Sequence, residues 1–351
     1  MKIFRLLLPL IVFLTASPGL HAQQTLAPEI QRMQQSALQS LQQKDYANSI
    51  MLLNQAIRQA PDNVSLRRDL AYTYYLSGKA EEARKIIEPV VQSEFADEQT
   101  FQIAGAIENV SGKFGKAKRV LKDGIRKFPH SGLLYSSLGN LYSMEKSDKS
   151  ALEVWMNGIQ ADPGYGANYY GAARMFNSKG NYVWALIYGE IFLNLDHDPF
   201  KGNQIKKMML SAYQAILSEG SSSDLPAFRG DSQRQKKGTS FEECFKRALQ
   251  DNALAIRSGF DTETLTMLRT RFLMEWESAY ARRFPFTLFS WQQKMLKAGY
   301  YDAYNQWLFG AVNNSQAFQL WIKKFSDNYG AFEKWMKNYP LQPASYDPQP
   351  E

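Results

Sequence analysis

The chain has 351 residues, 44% of them hydrophobic, and a formal charge of +7. That composition excludes a disordered linker and suits either one elongated helical stack or two ordinary cores. The charge falls to +5 once Lys2 and Arg5 of the leader are set aside, and without a basic stripe interleaved with aromatics it gives no expectation of nucleic-acid binding.

Residues 1–22 read as a signal peptide. Lys2 and Arg5 supply the positive start, Leu6 to Thr15 is apolar apart from Pro9, and Leu20-His21-Ala22 ends on a small residue. Cleavage is expected after about Ala22, which makes the protein exported, periplasmic or secreted. No later run of about 18 apolar residues exists, so no transmembrane segment is expected after cleavage. Cys244 is the only cysteine. It has no partner for an internal disulfide, and its neighbours Phe241, Phe245 and Leu249 mark it as a buried small hydrophobe.

From residue 30 the sequence repeats with a period of 34 residues, in frames starting at Ile30, Val64, Glu98, Gly132 and Gly166. The eighth position is always small (Ala37, Ala71, Gly105, Gly139, Ala173), and so is the twentieth (Ser49, Ala83, Ala117, Ala151, Ala185). Two antiparallel helices approach closely where each contributes a small residue to the crossing point. A bulky residue follows at the twenty-fourth position as Leu53, Ile87, Leu121 and Trp155, with Gly189 the exception. Pro61, Pro129 and Pro163 close three of the frames; frame two has Phe95 instead, and frame five reaches Pro199 two residues late.

This pattern resembles the tetratricopeptide repeat (TPR) family over residues 30–197, most fully in frame four with Tyr135, Leu138, Gly139, Tyr142, Ala151, Trp155 and Pro163. The resemblance implies an all-α, TPR-type helical solenoid of about five helix-turn-helix repeats with a capping helix at 198–218. It also implies that the first helix of each pair lines a concave face. The inward positions would select Arg68, Tyr72, Tyr75, Gln102, Asn109, Ser136, Asn140, Ser143, Tyr170, Arg174 and Asn177. A groove of asparagine, arginine and tyrosine suits an extended peptide or a helix, with Arg68 and Arg174 expected to attract carboxylates.

Residues 219–240, rich in serine, glycine and charge, read as a linker. A second, aromatic-rich helical domain is expected at 241–340 and a disordered tail at 341–351. Trp276, Trp291, Trp307, Trp321 and Trp335 fall in this half. Its end carries a second repeat of 14 residues: Ala303 to Trp307, Ala317 to Trp321 and Ala331 to Trp335, each with an aromatic pair three apart. Three short helices with N-caps at Asp302, Ser315 and Asn328 are expected. Trp307, Trp321 and Trp335 form a candidate aromatic platform for a sugar or a peptide if they face solvent, and otherwise a core.

Catalysis is not expected. His130 and His197, the histidines left after the leader, are 67 residues apart without a ligand partner nearby, so neither a metal site nor a histidine-based triad is expected. Glu275 with Glu277 and Glu242 with Glu243 are too close along a helix to converge on a cleft. No glycine fingerprint for nucleotides occurs, and no cofactor is expected. The leading expectation is a scaffold in the cell envelope that docks a protein or peptide partner. A glycan-binding or glycan-processing accessory acting through the tryptophans is one alternative, a periplasmic chaperone another.

Overall fold

Position fifteen of every frame turns the chain left-handed. Lys44, Gly78, Gly112, Lys146 and Gly180 all have positive φ, from 59° to 80°, and each ends the first helix of its pair. The structure, a computed structural model, describes residues 26–221 and 240–350. The expected leader and most of the expected linker lie outside the described residues. The chain divides into two compact units, Met1–Ser111 and Gly112–Glu351.

The first unit holds α1 (Pro28–Gln42), α2 (Tyr46–Gln59), α3 (Val64–Leu76), α4 (Ala80–Val91) and α5 (Glu98–Val110). Its cluster of Ile30, Ala37, Leu53, Ala56, Leu66 and Leu70 is buried between consecutive helices. The side chains of Asn63 and Asp97 accept the backbone N–H groups of Leu66 and Thr100, capping α3 and α5. Frame two has Phe95 at the closing position, and its proline, Pro89, falls in the last turn of α4. The helix stops two residues later at Val91, and Pro89 has no N–H to donate to the turn before it.

The second unit continues with α6 (Phe114–Lys127), α7 (Gly132–Met144), α8 (Asp148–Ala161), α9 (Gly166–Ser178), α10 (Tyr182–Leu195) and α11 (Pro199–Ser221). The late Pro199 is the first residue of α11 rather than the end of α10, a position where its missing N–H costs nothing. Gly189 also has its reason. A Cβ there would lie 3.0 Å from Ile205, so the glycine admits α11 against α10. Across both units the twentieth-position residues Ser49, Ala83, Ala117, Ala151 and Ala185 are 0% exposed.

The aromatic half comprises α12 (Phe241–Asp251), a 3₁₀ turn (Ala253–Ile256), α13 (Thr262–Ala279), α14 (Thr287–Lys297), α15 (Tyr301–Asn305), a π turn (Gln306–Gly310), α16 (Ala311–Asn313), α17 (Ser315–Lys324) and α18 (Ser326–Asn338). Its buried side chains join those of α8 to α11 in one cluster reaching from Ala151 to Leu341. Phe241 is central, stacked on Trp184 of α10 at 5.0 Å and edge-on to Trp276 of α13 at 5.2 Å. The 14-residue repeat does not give three equal helices. Its first copy bends through the π turn, and Asn314, not Ser315, caps α17 by accepting the Ala317 N–H. Asp302 and Asn328 lie inside helices.

Residues 341–350, expected as a disordered tail, lie against the unit. Leu341 is buried, and the Asp347 carboxylate accepts the Thr287 N–H at the start of α14 at 2.8 Å. An acid at a helix N-terminus meets an orphan donor and a favourable dipole. Among the described residues no helix is long and apolar enough to cross a membrane.

Candidate interaction surfaces

First helices neighbour one another within each unit, α1 beside α3 and α3 beside α5 in one, α7 beside α9 and α9 beside α11 in the other. In the first unit Tyr72 is exposed and stacks on Tyr75 with ring centroids 6.2 Å apart; Gln102 and Asn109 are half-buried.

Arg68 corrects the expectation of a free carboxylate-binding group. Its guanidinium donates to Asp69, 3.0 Å away, and to Asp97, and only 14% of its side chain is exposed. Asp69 in turn accepts from Gln34 of α1 at 2.6 Å. Arg68 therefore helps to staple α1, α3 and the cap of α5 together. A cation held by two carboxylates has little field left for a third.

In the second unit Asn140 and Arg174 are exposed and Tyr170 and Asn177 half-buried, whereas Ser136 is buried and does not line a surface. Arg174 lies over the Tyr170 ring, 5.2 Å from its centroid. The Tyr170 hydroxyl donates to Gln204 of α11 at 2.8 Å, and Lys201 approaches the same ring at 5.8 Å. Arg174 forms no ion pair among the described residues. The ring thus holds a charged, exposed guanidinium in place without neutralising it.

The tryptophans do not make a flat exposed platform. Trp307, Trp321 and Trp335 are half-buried and pack against the core. Lys206 covers Trp307 at 4.5 Å, and its Nζ donates to the Trp307 carbonyl oxygen at 2.6 Å. Trp321 meets Phe325 and Tyr329, and Trp335 meets Trp291 and Tyr339. Burial lowers the Lys206 pKa to about 8.

A polar cluster outside the sequence-based expectations lies in the core of this unit. Glu190, on α10, accepts from Arg269 of α13 at 2.5 Å, Gln292 of α14 at 2.5 Å and the Tyr304 hydroxyl of α15 at 2.8 Å. Tyr213, Tyr301, Tyr304 and Phe309 surround the Arg269 guanidinium. The pairing with Glu190 and these aromatic faces keep Arg269 charged despite burial. Its signal was visible, because Glu190 is the one ionisable carboxylate or base in the otherwise apolar run of α10. A cavity beside it has room for about one water, some 10 Å³.

Among the described residues no cluster of acids, histidines and cysteine could hold a metal. Cys244 is buried, and burial raises its thiol pKa, which suppresses the reactive thiolate. His130 and His197 are exposed at turns.

Helix pairs of this period and first-helix faces of this kind define a helical-repeat protein. The tetratricopeptide repeat family matches residues 40–102, and the 34-residue frame of that segment runs through the five pairs. A curated relative is the human antiviral innate immune response effector IFIT1, 26% identical over 155 residues. The match covers 38% of this chain and 32% of IFIT1, so the chain spans about a third of that relative's length. Solved structures with similarity include Pseudomonas aeruginosa pilF, at TM-score 0.44 and 14% identity over 55% of this chain and 93% of that one. Another is a thermophilic TPR protein of Thermus thermophilus, at TM-score 0.42 and 16% identity over 54% and 99%.

Proposed function

We propose that the protein is an exported interaction scaffold of the cell envelope, and that the first-helix face of its last repeat binds a peptide or helix from a partner protein. The observation that carries this reading is Arg174. It is exposed, free of ion pairs among the described residues and braced by Tyr170, whose hydroxyl is fixed by Gln204. A pre-positioned arginine loses little side-chain entropy on meeting a carboxylate, so more of its interaction energy appears as affinity. Neighbouring Asn140 and Asn177 supply amide donors and acceptors for a peptide backbone.

Export and envelope location rest on the signal-like residues 1–22. The test places a photo-crosslinking residue at Asn177, irradiates cells and identifies the adducts by mass spectrometry, with and without Arg174→Glu. Partner adducts should fall at least about tenfold in the variant, the cost of replacing a charge-assisted contact by repulsion. Equal adducts from both proteins would sink the reading.

A further inference from the structure

We propose that the α17–α18 hairpin is a docking element for an anionic lipid surface. The motif behind it is the 14-residue aromatic repeat, which neither the repeats nor the Arg174 surface uses.

Half of the ten residues of α17 are apolar, yet none is buried. Phe318, Trp321 and Ile322 lie at i, i+3 and i+4 and reach only half burial, while Leu320 on another face is 64% exposed. Both helices of the hairpin end on exposed aromatics, Phe325 and Tyr339. A face that served only the core would bury its rings as α13 buries Phe272 and Trp276.

The charge around these rings selects the occupant. Lys323, Lys324, Lys334 and Lys337 are all exposed and form no ion pair among the described residues. Asp327 and Glu333 are the acids of the hairpin, which leaves it with a net charge of +2. Lys323 and Lys324 are three and four residues beyond Leu320, so they flank it on the helix surface. Lysine stems can lie along apolar surface while their ammonium heads stay in water. Amphipathic aromatic rings with lysines beside them are the composition that settles at the headgroup boundary, and anionic headgroups supply the complementary charge. No helix inserts across the bilayer in this arrangement. The hairpin lies on the surface, and Arg174 of α9 is not part of it.

The test uses the full chain without its leader, sedimented with vesicles of phosphatidylcholine alone or of phosphatidylcholine with phosphatidylglycerol. Binding to the anionic vesicles only is expected, together with quenching of tryptophan fluorescence by brominated acyl chains. Each lysine near an anionic surface is worth about fivefold in partitioning, so Lys323→Glu with Lys324→Glu should reduce binding more than about twentyfold, and Leu320→Asp should also weaken it. These side chains are exposed, and an unchanged circular dichroism melt would establish that both variants fold. Arg174→Glu should leave vesicle binding intact, which separates this proposal from the partner-binding one. Equal binding to neutral vesicles, no binding to either, or full binding by the double variant would overturn it. So would self-association through the hairpin, detected as a dimer that Leu320→Asp dissociates and that binds no lipid.

Discussion

A single indole decides which small residues the fourth and fifth repeats can carry. Trp155 is 3% exposed, and a Cβ added at Gly139 or Gly171 would come within 2.4 Å of its ring. The two glycines therefore let α7 and α9 close on α8. Helix propensity alone favours Gly139→Ala by up to about 1 kcal/mol. Overpacking a core costs about 1–3 kcal/mol, and here the overpacking wins because glycines on two helices hold the indole. Urea unfolding of Gly139→Ala should show a net loss of about 1–2 kcal/mol. Gly115→Ala, where nothing lies within 4 Å of the new Cβ, should be neutral or slightly stabilising. A stable Gly139→Ala would mean that Trp155 can move and that the glycine is not required for packing.

At the scale of the helix pair, the repeat also states how its first member ends. The third position of frames two to five is Leu66, Thr100, Leu134 and Asn168, all 0% exposed, and the seventh is Leu70, Ala104, Leu138 and Ala172, none above 3%. In frame one the same positions are Arg32 and Ser36, both exposed. They line an open groove of about 450 Å³ between α1 and α2, with Met33 and Leu52 at half burial and Arg58 at its rim. The end of a repeat stack needs a polar outer face, and Arg32 and Ser36 give the first described repeat one. Arg32→Leu with Ser36→Leu should expose two leucines worth about 2 kcal/mol each on burial and cause concentration-dependent self-association. Light scattering that stays monomeric at high concentration would show that other residues protect this end. The 34-residue frame made this much legible from sequence, because each small residue, cap and turn recurs and every copy checks the others. The aromatic half was less legible. Its 14-residue repeat is helical, but whether Trp307, Trp321 and Trp335 face a core or solvent depends on Lys206 and Trp291, distant in sequence. Arg68 misled for the same reason, since Asp97, one of the carboxylates that neutralise it, is 29 residues away.

For the larger unit as a whole, buried ionisable groups set how stability changes with pH. Lys206 binds its proton with a pKa near 8 in the folded chain against 10.5 as its ordinary value. Between those values the unfolded chain holds a proton that the folded chain has released, so unfolding free energy rises with pH. The tyrosines act in the opposite direction at higher pH. Burial raises the pKa values of Tyr169, Tyr188, Tyr213, Tyr301 and Tyr304 above their ordinary 10. From just above pH 9 the unfolded chain loses those protons first, so stability falls as pH rises further. The two trends place a maximum near pH 9, with a gain from pH 7.5 on the order of 1 kcal/mol. Urea titrations followed by tryptophan fluorescence should trace that rise in the wild type. In Lys206→Met the rise should vanish while the fall above pH 9 persists, since methionine keeps most of the stem packing and removes the titrating amine. A wild-type profile that is flat from pH 7.5 to 9, or a rise that survives in Lys206→Met, would mean that the Trp307 carbonyl and ring compensate for the burial of the ammonium.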